Sequence, residues 1–323
     1  MLTSHTSCLN FHRVLRTLAS LSIDSRSEMK DDAIYSFFYH AFLFLGANLE
    51  GEDLGNFDTR PVGEYGNTLV NDLFLLNVTH IETEAALIFN VWMWCIHEIY
   101  NVLRACERND DNSQSDMNVA LDIAVALWIG AEQPYGSYEE GNMLYNLAEQ
   151  VGTKFSQDFT EVVANTKILA LFSQMQVGIE QGTCKNGTSG YLELRGIMRQ
   201  LLGHMTVPLV QNLIYHIVTT NPDGKSDFIE LYTLAIAPRV EVCNPTVYQE
   251  LISVLVIGIF NDADETKAIN LLQSIYPCLD VSCEQIGEYK GGLVAKCLDD
   301  QSLPSQMAGY PATFNVDQVS WKN

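Results

Sequence analysis

Residues 120–151 read ALDIAVALWIGAEQPYGSYEEGNMLYNLAEQV. Apolar residues run almost unbroken from Leu121 to Ile129, an acidic and aromatic loop fills Gly130 to Gly141, and apolar residues return at helical spacing from Leu144. The pattern predicts a helix, a tight loop and a second helix. The same period recurs along the chain and places helices at 9–22, 30–47, 66–77, 82–107, 116–131, 139–155, 157–180, 190–202, 207–219, 226–237, 245–259, 264–275 and 283–289. Strand signals are sparse. Asn186-Gly187 and Asp223-Gly224 each lie between helical patterns, so they read as helix–helix turns and not as hairpins. The expected fold class is all-α, with short connections that favour antiparallel neighbours.

These helices read as an internal repeat, the alternative being a chance likeness of two amphipathic segments. Ser115-Asp116 opens one apolar helix, and Ser226-Asp227 opens another 111 residues later. Each follows an apolar helix and a Gly-rich polar loop. That offset exceeds solenoid periods and points to duplication, giving two similar multi-helix bundle units. The expected boundaries are an N-terminal segment 1–27, helical unit 28–155, helical unit 156–290 and a C-terminal tail 291–323. Residues 1–27 lack the continuous apolar core of a secretion signal and resemble a transit peptide, an amphipathic first helix or a chain whose start is missing.

Hydrophobic residues make up 47% of the 323 and charged residues 18%, which supports a large buried core and argues against global disorder. The net charge of −22 repels nucleic acid and anionic membranes and attracts cations. The runs 85–96 and 251–260 fall short of the roughly 20 apolar residues of a membrane span, so no transmembrane segment is expected. Eight cysteines include no CxxC pair, which excludes the common structural zinc patterns. Cys278 with Cys283 or Cys297 fits a disulfide, whereas Cys95 and Cys106 lie about 16 Å apart on one helix and cannot bridge. Two sequons, Asn77-Val78-Thr79 and Asn186-Gly187-Thr188, join the cysteine cluster in pointing to an oxidising, extracellular setting.

Oxygen donors near the 120–151 hairpin suit a hard cation. Asp122 stands in a helix apolar nearly all round, where an ionised carboxylate needs a metal, an Arg partner or a narrow solvated stripe. The loop adds Glu132, Tyr135, Tyr138, Glu139 and Glu140, the last two also placed to favour a helix N-terminus. Asp116 and Asp227 read as caps at helix starts. His97 and Tyr100 share a face, and a carboxylate from another helix would complete a site for ferric iron. There is no GxxxxGK[ST], GxGxxG or GxSxG pattern, so an enzyme is not expected.

Ala120-Leu121-Asp122, Ala124-Val125-Ala126, Gly130 and Gly141-Asn142 with Leu144-Tyr145-Asn146-Leu147-Ala148-Glu149 resemble a segment of the algal Fe-assimilating proteins, which share their domain with the phytotransferrins. Ala268–Cys283 and Ala308-Gly309-Tyr310-Pro311 are similar to diatom members. The resemblance implies a helical, secreted or surface-attached accessory protein that gathers Fe(III) with a carbonate anion, together with a cell-surface or uptake partner. It places Asp122, Tyr145 and Glu149 at motif positions. Ile123 stands where an acid is usual, and Gln150-Val151 replaces a basic pair. The expected metal residues are Asp122, Glu132, Tyr145, His97 and Tyr100. The competing expectation is a helical protein-interaction scaffold without metal, which acidic side chains fanning outward would favour.

Overall fold

The structure is a computed structural model that describes residues 56–57, 60–61, 70–71, 75, 81–131, 133–135, 137, 139–156, 163–219, 225–257 and 265–291. The helices expected at 9–22 and 30–47, most of 66–77, the N-terminal segment and the tail beyond Gly291 lie outside the described residues. About 82% of what is described is helical, so the all-α class holds. Among the described residues, strand is limited to two-residue pairs, β1 (Asn56–Phe57) with β2 (Arg60–Pro61) and β3 (Phe155–Ser156) with β4 (Glu288–Tyr289).

The longest helices build one contiguous core. Helix α1 spans Glu82–Arg108 and contains a π-helical stretch, Leu87–Trp92, whose Ile88, Phe89, Asn90 and Trp92 are buried. It is long and apolar enough to cross a membrane, yet 78% of its most apolar stretch is buried within the protein, as expected of a core helix. Asn109, in the left-handed region at φ 47°, ends α1 and turns the chain into α2, Ser113–Ile129. Cys95 donates its thiol hydrogen to the Ala124 carbonyl at 3.2 Å, fastening the two helices. Helix α3 (Leu144–Gly152) and α4 (Val163–Glu180) follow, then a 3₁₀ turn, Thr183–Asn186.

Helix α5, Thr188–Val218, is the axis, about 46 Å long. It packs against α1, α3, α4 and α6, Lys225–Cys243. Two helices, 190–202 and 207–219, are expected here from sequence; one continuous helix forms, with Pro208 inside it. Proline removes an intrahelical donor, but burial on every side outweighs that loss. Leu201, Leu202, Met205, Val207, Leu209, Val210 and Leu213 are all in the core. Thr206 returns its hydroxyl to the Leu202 carbonyl at 2.8 Å and Asn212 donates to Pro208 O at 3.1 Å, so side chains hold the turns around the proline.

The C-terminal elements are α7 (Pro245–Ile252) with its π-helical extension Ser253–Ile257, α8 (Glu265–Ser274), a 3₁₀ turn (Tyr276–Leu279) and α9 (Cys283–Ile286). Asp280 binds them to the axis. Its carboxylate accepts from Arg199 of α5 at 2.9 Å and pairs with Arg239 of α6 at 3.6 Å. Gly203 permits this approach, because a Cβ there would lie 2.4 Å from the Asp280 carbonyl. Ser282 and Gln285 cap α9 reciprocally.

Cys106 at the end of α1 is bonded to Cys184 in the 3₁₀ turn, 78 residues away, with Cα atoms 5.2 Å apart. Cys95 is the buried free thiol, so the two α1 cysteines do not bridge each other. Cys278 and Cys283 each take part in a disulfide.

Candidate functional site

Of the residues expected to hold a metal, Asp122 is exposed, His97, Tyr100 and Tyr145 are buried, and Glu132 lies outside the described residues. Asp122 stands on a solvated stripe of its helix. Helix α2 buries Met117, Ala120, Leu121, Ala124 and Trp128, while Asp122 falls between the exposed Val119 and Ala126 on the opposite face. Apolar residues on that outer face gave the sequence its all-round apolar look. Glu132 and Tyr138 lie outside the described residues. Glu139 and Glu140 are exposed and do not start a helix; α3 begins at Leu144, with Met143 as its N-cap residue. The loop is held instead by Asn146, which donates to the Glu140 carbonyl at 3.0 Å. Asp116 and Asp227 lie inside the first turns of α2 and α6 rather than at the N-cap position.

The remaining described candidates, His97, Tyr100 and Tyr145, are buried. His97 packs its ring against Trp94 at 4.9 Å, and its Nε2 accepts from Asn101 at 3.0 Å. The same Asn101 amide donates to Glu98 at 3.1 Å. Tyr100 and Tyr145 are core residues, 2% exposed. Asn165 of α4, which sequence reasoning passed over, is the hub of the motif. It donates to the Tyr145 carbonyl at 2.9 Å and to Glu149 at 2.8 Å, and it accepts from Trp128 at 3.0 Å. One buried amide thus joins α2, α3 and α4. A lone Asn on an otherwise apolar face was the available signal. No group of three or more His, Cys, Asp or Glu side chains among the described residues could hold a metal ion.

A different cluster gathers where five separate segments meet. Glu84 comes from the first turn of α1 and Lys154 from the turn before β3. Tyr215 and His216 end α5, Phe228 and Tyr232 lie near the start of α6, and Tyr289 stands in β4. The β3–β4 ladder pairs Phe155 with Tyr289, and Lys290 N–H donates to the Lys154 carbonyl at 2.9 Å. That register brings Lys154 to Tyr215, whose ring lies 3.5 Å below the Nζ, a cation–π contact. Tyr289 meets Tyr215 edge-on at 6.0 Å.

Across the cluster, the Tyr232 hydroxyl donates to the Glu84 carboxylate. His216 lies parallel to Phe228 at 4.4 Å and to Tyr232 at 5.9 Å. Burial disfavours the charged forms of Glu84, Lys154 and Tyr232. It pushes the Glu84 carboxyl above its usual range, against the lowering effects of the Tyr232 bond and of Lys154. It pulls the Lys154 ammonium down, against the attraction of Glu84. The Tyr232 phenol is raised well above 10 by burial and by Glu84. Paired groups pushed away from their ordinary titration are what binding sites tend to gather. The cluster offers one carboxylate, phenol oxygens and an imidazole, with an ammonium beside them.

No protein-family model, no curated protein and no solved structure matches the chain.

Proposed function

We propose that the protein is a non-catalytic accessory of iron uptake in an oxidising, cell-exterior compartment, and that Glu84, Tyr232 and His216 bind its Fe(III) cargo. The observation that supports this reading most is the Tyr232–Glu84 hydrogen bond beside His216, with Lys154 at hand for a carbonate anion. Carboxylate and phenolate oxygens are suitable hard donors, and the imidazole adds a nitrogen. Before loading, burial keeps the phenol protonated. A trivalent cation inverts that preference, so loading releases protons and weakens as pH falls. The net charge of −22 favours cation approach, and the Cys106–Cys184 bond fits an oxidising compartment.

The test is titration of the full chain with Fe(III) in bicarbonate, followed by phenolate-to-iron absorption in the visible range. A saturable band that Tyr232→Phe and Glu84→Gln abolish, and that Asp122→Ala leaves intact, is the expected result. Absence of a saturable band rejects iron binding. A band lost only in Asp122→Ala returns the site to the hairpin.

A second reading has its own support. Asp122, Glu139 and Glu140 point into solvent beside the exposed Val119 and Tyr135, as on a scaffold that docks another protein. Failure of the iron titration leaves this reading standing. The duplication belongs with the proposals too: α1–α2 and α5–α6 are each packed pairs of successive helices, and the Ser-Asp repeat falls at the start of the second helix in both. Superposition of the two pairs with a matching path through the following helix is the expected outcome.

A further inference from the structure

We infer that Asn186 is an acceptor for N-linked glycosylation. Asn186-Gly187-Thr188 is a sequon, and its placement in the fold separates it from a chance tripeptide. Asn186 ends the 3₁₀ turn and Thr188 begins α5; both are exposed, as are Lys185, Gly187 and Ser189. Gly187 between them has φ +65° and ψ −137°, a conformation that turns the chain sharply and that glycine adopts readily. No heavy atom lies within 4 Å of where a Cβ would stand, so the turn projects into open space. The Ser189 hydroxyl donates to the Asn186 backbone carbonyl at 3.1 Å and holds the turn, while Asn186 itself is exposed.

The second observation is chemical. Cys184, two residues before the acceptor, is bonded to Cys106. A buried disulfide forms in an oxidising compartment, and in secretory cells oligosaccharide transfer takes place in that same lumen. The donor class is an oligosaccharide linked to a polyprenyl diphosphate. The Asn186 amide nitrogen bonds to the anomeric carbon, the carbon–oxygen bond to the diphosphate breaks, and the diphosphate leaves with the electron pair. The amide proton passes to a base of the transferase. The product places a bulky polar chain on the turn without displacing any packed side chain.

The experiment expresses the full chain through a eukaryotic secretory pathway and maps its peptides by mass before and after amide-cleaving glycosidase. The expected result is a glycan on the Asn186 peptide, with conversion of Asn186 to Asp on digestion. Thr188→Ser should retain it and Thr188→Ala abolish it. An unmodified Asn186 in molecules whose Cys106–Cys184 bond has formed overturns the inference, since that bond certifies passage through the oxidising lumen. A glycan that survives Thr188→Ala at this peptide overturns it equally.

Discussion

The hairpin loop and the Glu84 cluster invert the relation between acidic density and convergence. The loop and its flanks hold Asp122, Glu139 and Glu140, all facing water. The cluster holds one carboxylate, yet that carboxylate meets a phenol, an imidazole ring's neighbourhood and an ammonium drawn from segments up to 205 residues apart, Glu84 to Tyr289. Acids adjacent in sequence repel one another and spread toward solvent, where hydration costs them nothing. A single acid that the fold buries must find partners. The lesson is that burial, more than number, concentrates chemistry.

The comparison can be attacked first through the far end of α1. Glu84 and Cys106 are about 33 Å apart along that helix. Replacing Cys106 and Cys184 by Ser should destabilise the fold by about 4 kcal/mol in denaturant titrations, while iron uptake in the folded fraction stays unchanged. A loss of both together would mean that the two ends are coupled. Next, Glu84→Gln and Tyr232→Phe should each abolish the Fe(III) band, a loss of at least about 100-fold in affinity, against no change for Asp122→Ala; the absorption titration reads both. Third, Asn165→Ala should cost about 2 kcal/mol by stranding buried partners of the hairpin and leave iron affinity unaltered, since the hub serves structure.

The pH dependence of stability separates the regions more finely. The Glu84 pKa is raised in the folded state, so the native protein holds that proton where the unfolded chain has released it. Its contribution is fully present below the unfolded carboxylate range and is lost as pH rises through the folded value. Glu84→Gln should remove this falling slope, whereas Asp122→Asn should not. His204 acts in the opposite sense: burial, with Lys167 adding to it, lowers it from 6.5 to about 4. Its contribution is present above 6.5 and disappears as pH falls through about 4, a loss on the order of 2 kcal/mol after allowance for solvent. His204→Gln should flatten that limb of the profile. The smallest effect expected is on stability at Asp122→Ala, within about 0.5 kcal/mol.

Much of the architecture could be read from periodicity. The helices at 82–107, 116–131, 226–237 and 264–275 stand within a few residues of α1, α2, α6 and α8 at most ends, because each has an apolar face that must be buried. The break expected between 202 and 207 does not form, because burial around the whole stretch keeps α5 continuous. The Glu84 cluster was not legible. Glu84 sits in Glu82-Thr83-Glu84, which reads as the solvated acidic first turn of a helix, and nothing local reveals that Tyr232 lies against it. Lys154 likewise looks like a surface lysine until β3 pairs with β4. The Ala120–Val151 motif was easy to see for a different reason: its Tyr145 backbone, Glu149 and Trp128 converge on Asn165, so its regularity expresses packing.

The π-helical stretch Leu87–Trp92 sets how the first turn of α1 is phased against the rest. A wide turn accommodates one more residue than an α-turn, and one residue corresponds to about 100° around the helix axis. Trp92, just at its end, is anchored by donation to the Met205 carbonyl at 3.2 Å. A chain shortened by one residue within this stretch would keep every donor of the cluster and still swing Glu84 away from Tyr232. Length, at this one place, matters as much as chemistry.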